Sequence, residues 1–181
     1  MKFIIKLSFA CLTFVATVLV IALFLKKDYS ITRSIEIECA RSDVFEYVKL
    51  LDHQMEFAEW LQCDPESGKI PFKQDGEVGC VMRWDSSSEP FGKGEQEILW
   101  IEEEERIDCV VRFIEPRQFE VNSSASFSTT ETGKTEVKWT FEGSLDYPFN
   151  IMMLFSNMEN FVDLNLEQSL KNLKQILESA N

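Results

Sequence analysis

A histidine beside carboxylates is a common apparatus for moving protons, and this chain has a single histidine, in the stretch HQMEFAEW from His53 to Trp60. As a base it needs a nucleophile to deprotonate or an acid to orient it. Glu56 lies three residues on, within reach across one helical turn, and Glu59 lies six residues on. No Gly-x-Ser-x-Gly elbow supplies a nucleophile. The stretch reads as a helical corner with His53 in a surface or capping role, and no catalytic residue is assigned.

Metal and phosphate chemistry find no better footing. Cys39, Cys63, Cys80 and Cys109 have no CxxC spacing, and with one histidine they fall short of a zinc cluster or a redox pair. Three of them sit in apolar, strand-like runs, where cysteine behaves as a small hydrophobe. Gly92-Lys93-Gly94 lacks the strand-to-helix context of a phosphate loop. Glu102 to Glu105 reads as a solvated turn rather than a cation site. No metal and no cofactor is expected.

The elements that would position any site follow from periodicity. Leu7 to Leu25 carries no charge and is flanked by Lys2, Lys6, Lys26 and Lys27. At about 1.5 Å per residue it just crosses a hydrocarbon core of about 30 Å. No A-x-A-like cleavage site precedes the lysine pair, so residues 1–27 read as an uncleaved single-span anchor and 28–181 as a folded domain. Lysines on both flanks leave the side of the membrane undetermined. Unpaired thiols lean toward a reducing compartment. Net charge is −13, and the first 27 residues hold four lysines and no acid, which leaves −17 on the rest. A domain this acidic repels nucleic acid and anionic headgroups.

Ile31 to Cys39 alternates as a strand, Ser42 is placed to cap a short helix, and a second short helix includes His53 to Trp60. The turn-rich segment DPESGKIPFKQDGEVG has room for one irregular strand. From Val78 to Glu142 apolar and polar residues alternate, with turns at Glu102–Glu105 and Glu131–Lys134, as in an antiparallel meander with one wet face. From Pro148 to Ser179 the spacing is helical, with Phe155, Met158, Val162, Leu166, Leu170, Leu173 and Leu177 stepping by three or four. The fold class is α+β: a curved antiparallel sheet of about seven strands around one long C-terminal helix.

Trp84, Trp100, Phe113, Trp139, Phe141, Met152, Phe155 and Met158 are expected to face the space between helix and sheet. Such a set is either plain core or the wall of a ligand cavity. Ser123 breaks an otherwise apolar inward row and Gln96 precedes one, so either suits the polar end of a ligand or a bond to water or backbone.

The order strand, two short helices, meander and long helix resembles the START-like, or helix-grip, superfamily, and within it the polyketide cyclase/dehydrase-like (SRPBCC) group. The resemblance runs from about Ile31 to the end of the chain. It is carried by ITRSIEIECARSDVFEYVKLLDHQMEFAEW, by GEVGCVMRWDS with GKGEQEILWIEEEERIDCVVRF, by GKTEVKWTFEG and by FVDLNLEQSLKNLKQILES. These are fold motifs, and no catalytic signature comes with them. The resemblance implies a domain that binds an apolar or amphipathic small molecule, including lipid; the uncharged run before it adds a membrane anchor, and no catalytic motif favours an enzyme. Two alternatives stay open. One is a cavity enzyme of cyclase, dehydrase or isomerase type. The other is a protein-interaction module with a filled core.

Overall fold

A computed structural model of the chain describes residues 2–61, 74–85, 92–116, 118–154 and 158–179. Helix α1 (Lys2–Phe24) leads into strand β1 (Asp28–Ile37), helices α2 (Arg41–Lys49) and α3 (Leu51–Phe57), and a 3-10 turn at Glu59–Leu61. Strands β2 (Val81–Asp85), β3 (Lys93–Glu102), β4 (Arg106–Glu115), β5 (Phe119–Thr129) and β6 (Thr135–Ser144) follow. A 3-10 helix, Phe149–Leu154, and helix α4, Met158–Ser179, complete the order.

The strands form one antiparallel sheet in the order β1-β6-β5-β4-β3-β2. Six strands are thus described where about seven were expected; most of the segment assigned an irregular strand lies outside the described residues. Both hairpin turns fall where expected, after Glu102 and after Thr129. Inward residues alternate with wet ones along β6, where Thr135, Val137, Trp139 and Phe141 are buried. Leu166, Leu170, Leu173 and Leu177 of α4 are buried against them. At about 1.5–3 kcal/mol for each large apolar side chain, this stripe is a main source of stability.

Helix α4 lies along β1 and runs in the same direction. Arg33 pairs with Asp163, Lys174 Nζ donates to the Glu36 carbonyl at 2.7 Å, and the Glu38 amide donates to Glu178 at 2.8 Å. The starts of β1 and α4 are therefore at one end of the domain, together with the end of α1. The acidic turn between β3 and β4 is at the other end, where Arg41 and Lys49 of α2 reach Glu104 and Glu103.

Local expectations needed three corrections. Ser42 does not cap α2: the cap position is Ala40, and the Ser42 hydroxyl turns to Asp43. The C-terminal helix is not continuous from Pro148; a separate 3-10 helix precedes α4. Strand β1 begins at Asp28 rather than at Ile31, because Asp28 to Ser30 pair with Ser144 to Glu142.

Candidate functional site

The interior polar cluster is built from α2, α3 and four strands. The Gln54 Nε2 of α3 donates to the Val48 carbonyl at 3.1 Å, near the end of α2, where the helix leaves carbonyls without partners. Gln96 of β3 donates its Nε2 to Gln54 Oε1 at 2.9 Å. Gln54 and Gln96 are 3% and 1% exposed. A carbonyl only accepts, so Val48 fixes which end of the Gln54 amide faces it, and that in turn fixes Gln96. The chain of donors ends there: Gln96 Oε1 is buried without a hydrogen-bond partner.

Beside this cluster lies a void of about 10 Å³, lined by Val48, Gln54, Gln96, Ile107, Cys109, Ser123, Ala125 and Trp139. That volume suits about one water molecule. Ser123 of β5 accepts from Trp139 Nε1 at 2.9 Å. The lining carries no ionised side chain, and burial pushes the Cys109 thiol up to about 12, opposed by its hydrogen bond with Gln96. The surroundings thus disfavour negative charge.

Toward the end where β1 and α4 start, the inward surface is aromatic. The Phe113 ring stacks on Phe119, with centroids 4.4 Å apart, and meets Trp84 edge-on at 5.9 Å. The Trp84 ring lies over Gly94, its cross-strand neighbour, where a Cβ would collide with the indole. Phe141 packs beside Trp139 at 5.9 Å. Trp84 is buried, Phe113 half-buried, and Phe119 is 41% exposed.

The structure therefore gathers Gln96, Ser123 and Trp139 around one void, with Phe141 adjacent and Trp84 and Phe113 in the aromatic strip. Trp100 does not belong with them. It is 60% exposed, because a bulge between Ile98 and Trp100 inserts a residue and reverses the alternation, so that Ile101 packs on the core instead. Phe155 and the side chains of Met152 and Met158 lie outside the described residues. Sequence reasoning missed Gln54 and Phe119. Gln54 follows Leu51 by three residues and precedes Phe57 by three, a core spacing that flags it in retrospect.

His53 packs against Tyr47 at the helix corner. Its ring stacks on Tyr47 at 4.4 Å and its Nδ1 lies 3.2 Å from the Tyr47 carbonyl, while the Tyr47 hydroxyl donates to Glu56 at 2.6 Å. Asp75 accepts from the amides of Leu51 and Asp52 and so caps α3 from a distant turn.

The sequence matches no family model and no curated relative. Solved structures do resemble it. The crystal structure of protein MLL2253 from Mesorhizobium loti superposes with a TM-score of 0.60 at 12% identity, over 84% of this chain and 99% of that one. The crystal structure of Ara h 8.0201 gives 0.58 at 11% identity, over 84% and 99%. The solution structure of the Aha1 dimer from Colwellia psychrerythraea gives 0.55 at 12%, over 83% and 96%. At such identities the likeness is one of fold, and the fold is the helix-grip.

Proposed function

We propose that residues 28–181 form a binding domain for a small amphipathic molecule, held at a membrane by residues 1–27. One observation carries the binding assignment: an acceptor, Gln96 Oε1, buried on the inner face of the sheet without a hydrogen-bond partner. A buried acceptor left unmet costs about 1–3 kcal/mol, so a partner that donates there is favoured. The polar end of the guest is then an alcohol or another neutral donor. A carboxylate would meet an acceptor and a neutral thiol with no cation in the lining. Trp84, Phe113 and Phe141 form the apolar wall on the sheet side, and Met152, Phe155 and Met158 are assigned to the helix side from sequence. An apolar end reaches this strip only if the interior opens beyond its water-sized void, as adaptable methionine side chains would permit.

The anchor assignment has its own support. Lys6–Phe24 is long and apolar enough to cross a membrane. Apart from Ala22 it is exposed or half-exposed throughout, with Phe9, Phe14 and Phe24 at 71%, 70% and 85%, unlike the helix of a soluble core.

The small void favours one other reading, a filled interior that keeps a single water on Gln96, with the domain acting through protein contacts. Native mass spectrometry of the full chain in detergent separates the two. A long-chain primary alcohol should be retained, the fatty acid of equal length should not, and Gln96→Leu should abolish the difference. Retention of neither compound by the wild type leaves the filled-core reading.

A further inference from the structure

The end of α1 is clasped by the domain. Asn150 of the 3-10 helix donates from Nδ2 to the carbonyls of Ala22, at 2.7 Å, and Leu25, at 3.3 Å. Ala22 is in the last turn of α1, where carbonyls run short of helical partners, and its oxygen otherwise receives only a long bond, 3.4 Å, from the Leu25 amide; Leu25 follows the helix. The Leu145 amide donates to the Lys27 carbonyl at 2.8 Å, and Ala22 is 1% exposed. The segment from Leu145 to Leu154 is thereby held against the last turn of α1 and the residues that follow it, and Ala22 is buried there. Yet Phe149 and Leu154, in this same segment, are 64% and 56% exposed, and Tyr147 is 40% exposed.

From these contacts we infer that Phe149 and Leu154 form a second lipid-contact surface, set in the interfacial layer of the bilayer beside the span. The inference rests on the anchor reading of α1. Its force comes from length. The uncharged run Leu7–Leu25 extends about 28 Å, against a hydrocarbon core of about 30 Å. There is no slack to lift Ala22 clear of the membrane without drawing Lys6 into hydrocarbon. Whatever is fastened to Ala22 therefore sits at the depth of Ala22. Exposed aromatic and aliphatic side chains suit that depth, and the lysine pair Lys26-Lys27 suits the headgroups just beyond it. With −17 on residues 28–181, contact with zwitterionic lipid is favoured over anionic lipid.

The test uses the full chain in phosphatidylcholine vesicles, with tryptophan introduced as Phe149→Trp, Leu154→Trp or, at the far acidic turn, Glu103→Trp. Flotation with the vesicles after alkaline washing reports the span separately. Lipid brominated near the top of the acyl chain should quench the added emission of the first two variants beyond the wild-type background. Lipid brominated at the chain terminus should quench it less, and the Glu103→Trp signal should be untouched. Protein that floats but shows no added quenching at either position overturns the second contact surface while sparing the anchor. Protein that does not float overturns the anchor, and this inference with it.

Discussion

Gln96 on β3 reaches Gln54 on α3 across the interior, Nε2 to Oε1 at 2.9 Å, and so ties the sheet to the helix pair through two side-chain amides. Gln54→Ala would strand the Gln96 donor and the Val48 carbonyl together. A loss of about 2–4 kcal/mol is expected, as for two buried groups left unpaired. Urea unfolding of the detergent-solubilised chain measures it, and a loss below about 0.5 kcal/mol would mean that the amides are not coupled.

Cys109 gives the fold an alkaline weakness. Its thiol titrates near 9.0 when exposed and is pushed up to about 12 by burial. Below pH 9 both states hold the proton and stability does not depend on it. Above that the unfolded chain loses the proton first, so stability falls toward pH 12 at up to about 1.4 kcal/mol per pH unit. Cys109→Ala should flatten that part of the profile relative to wild type in parallel urea titrations.

Gly94→Ala places a methyl group into the Trp84 ring. Overpacking of this kind costs about 1–3 kcal/mol. Near-ultraviolet circular dichroism should report the displaced indole, and an unchanged aromatic spectrum would argue against the close stacking.

His53→Ala removes a stacked ring and one hydrogen bond to backbone. About 1 kcal/mol of stability should be lost. Guest retention in the mass-spectrometric assay should stay as in wild type. Its disappearance from a variant that still folds would give this histidine a role in the site.

Asn150→Ala should loosen the joint more than the fold. The substitution removes the side-chain donor from the carbonyls of Ala22 and Leu25, but it also removes a buried Oδ1 that has no partner, so the two effects offset one another globally. Trypsin cleavage after Lys26 or Lys27 should quicken, by up to about tenfold for one lost hydrogen bond of ordinary strength. Equal cleavage rates would mean that the clasp does not restrain the junction.

Much of the fold was legible because its signals are local. The leucine spacing of α4 and the turns at Glu102–Glu105 and Glu131–Lys134 each declare themselves within a few residues. What stayed hidden depends on distant partners. Strand β1 starts at Asp28 only because Ser144 pairs with it from the far end of the domain sequence. The bulge after Ile98 breaks the parity that placed Trp100 inside, and nothing in LWIE announces an inserted residue. At the site, Ser123 was readable as a polar break in an apolar row and Gln96 as the polar residue that precedes one. Gln54 was not, since a glutamine among charged residues looks solvated until its donors and acceptors are traced.

The parallel course of β1 and α4 away from the clasp gives the domain a defined height. Strand β3 has ten residues, about 33 Å of extended chain, between the aromatic end and the acidic turn. In the anchored arrangement Glu102 to Glu105 would ride on the order of 30 Å above the headgroups, several Debye lengths away at physiological salt. The lipid would not feel their charge, and a cytosolic or extracellular visitor would meet it first. One end of the molecule would then be addressed to the bilayer and the other to solution, with a fixed standoff between them.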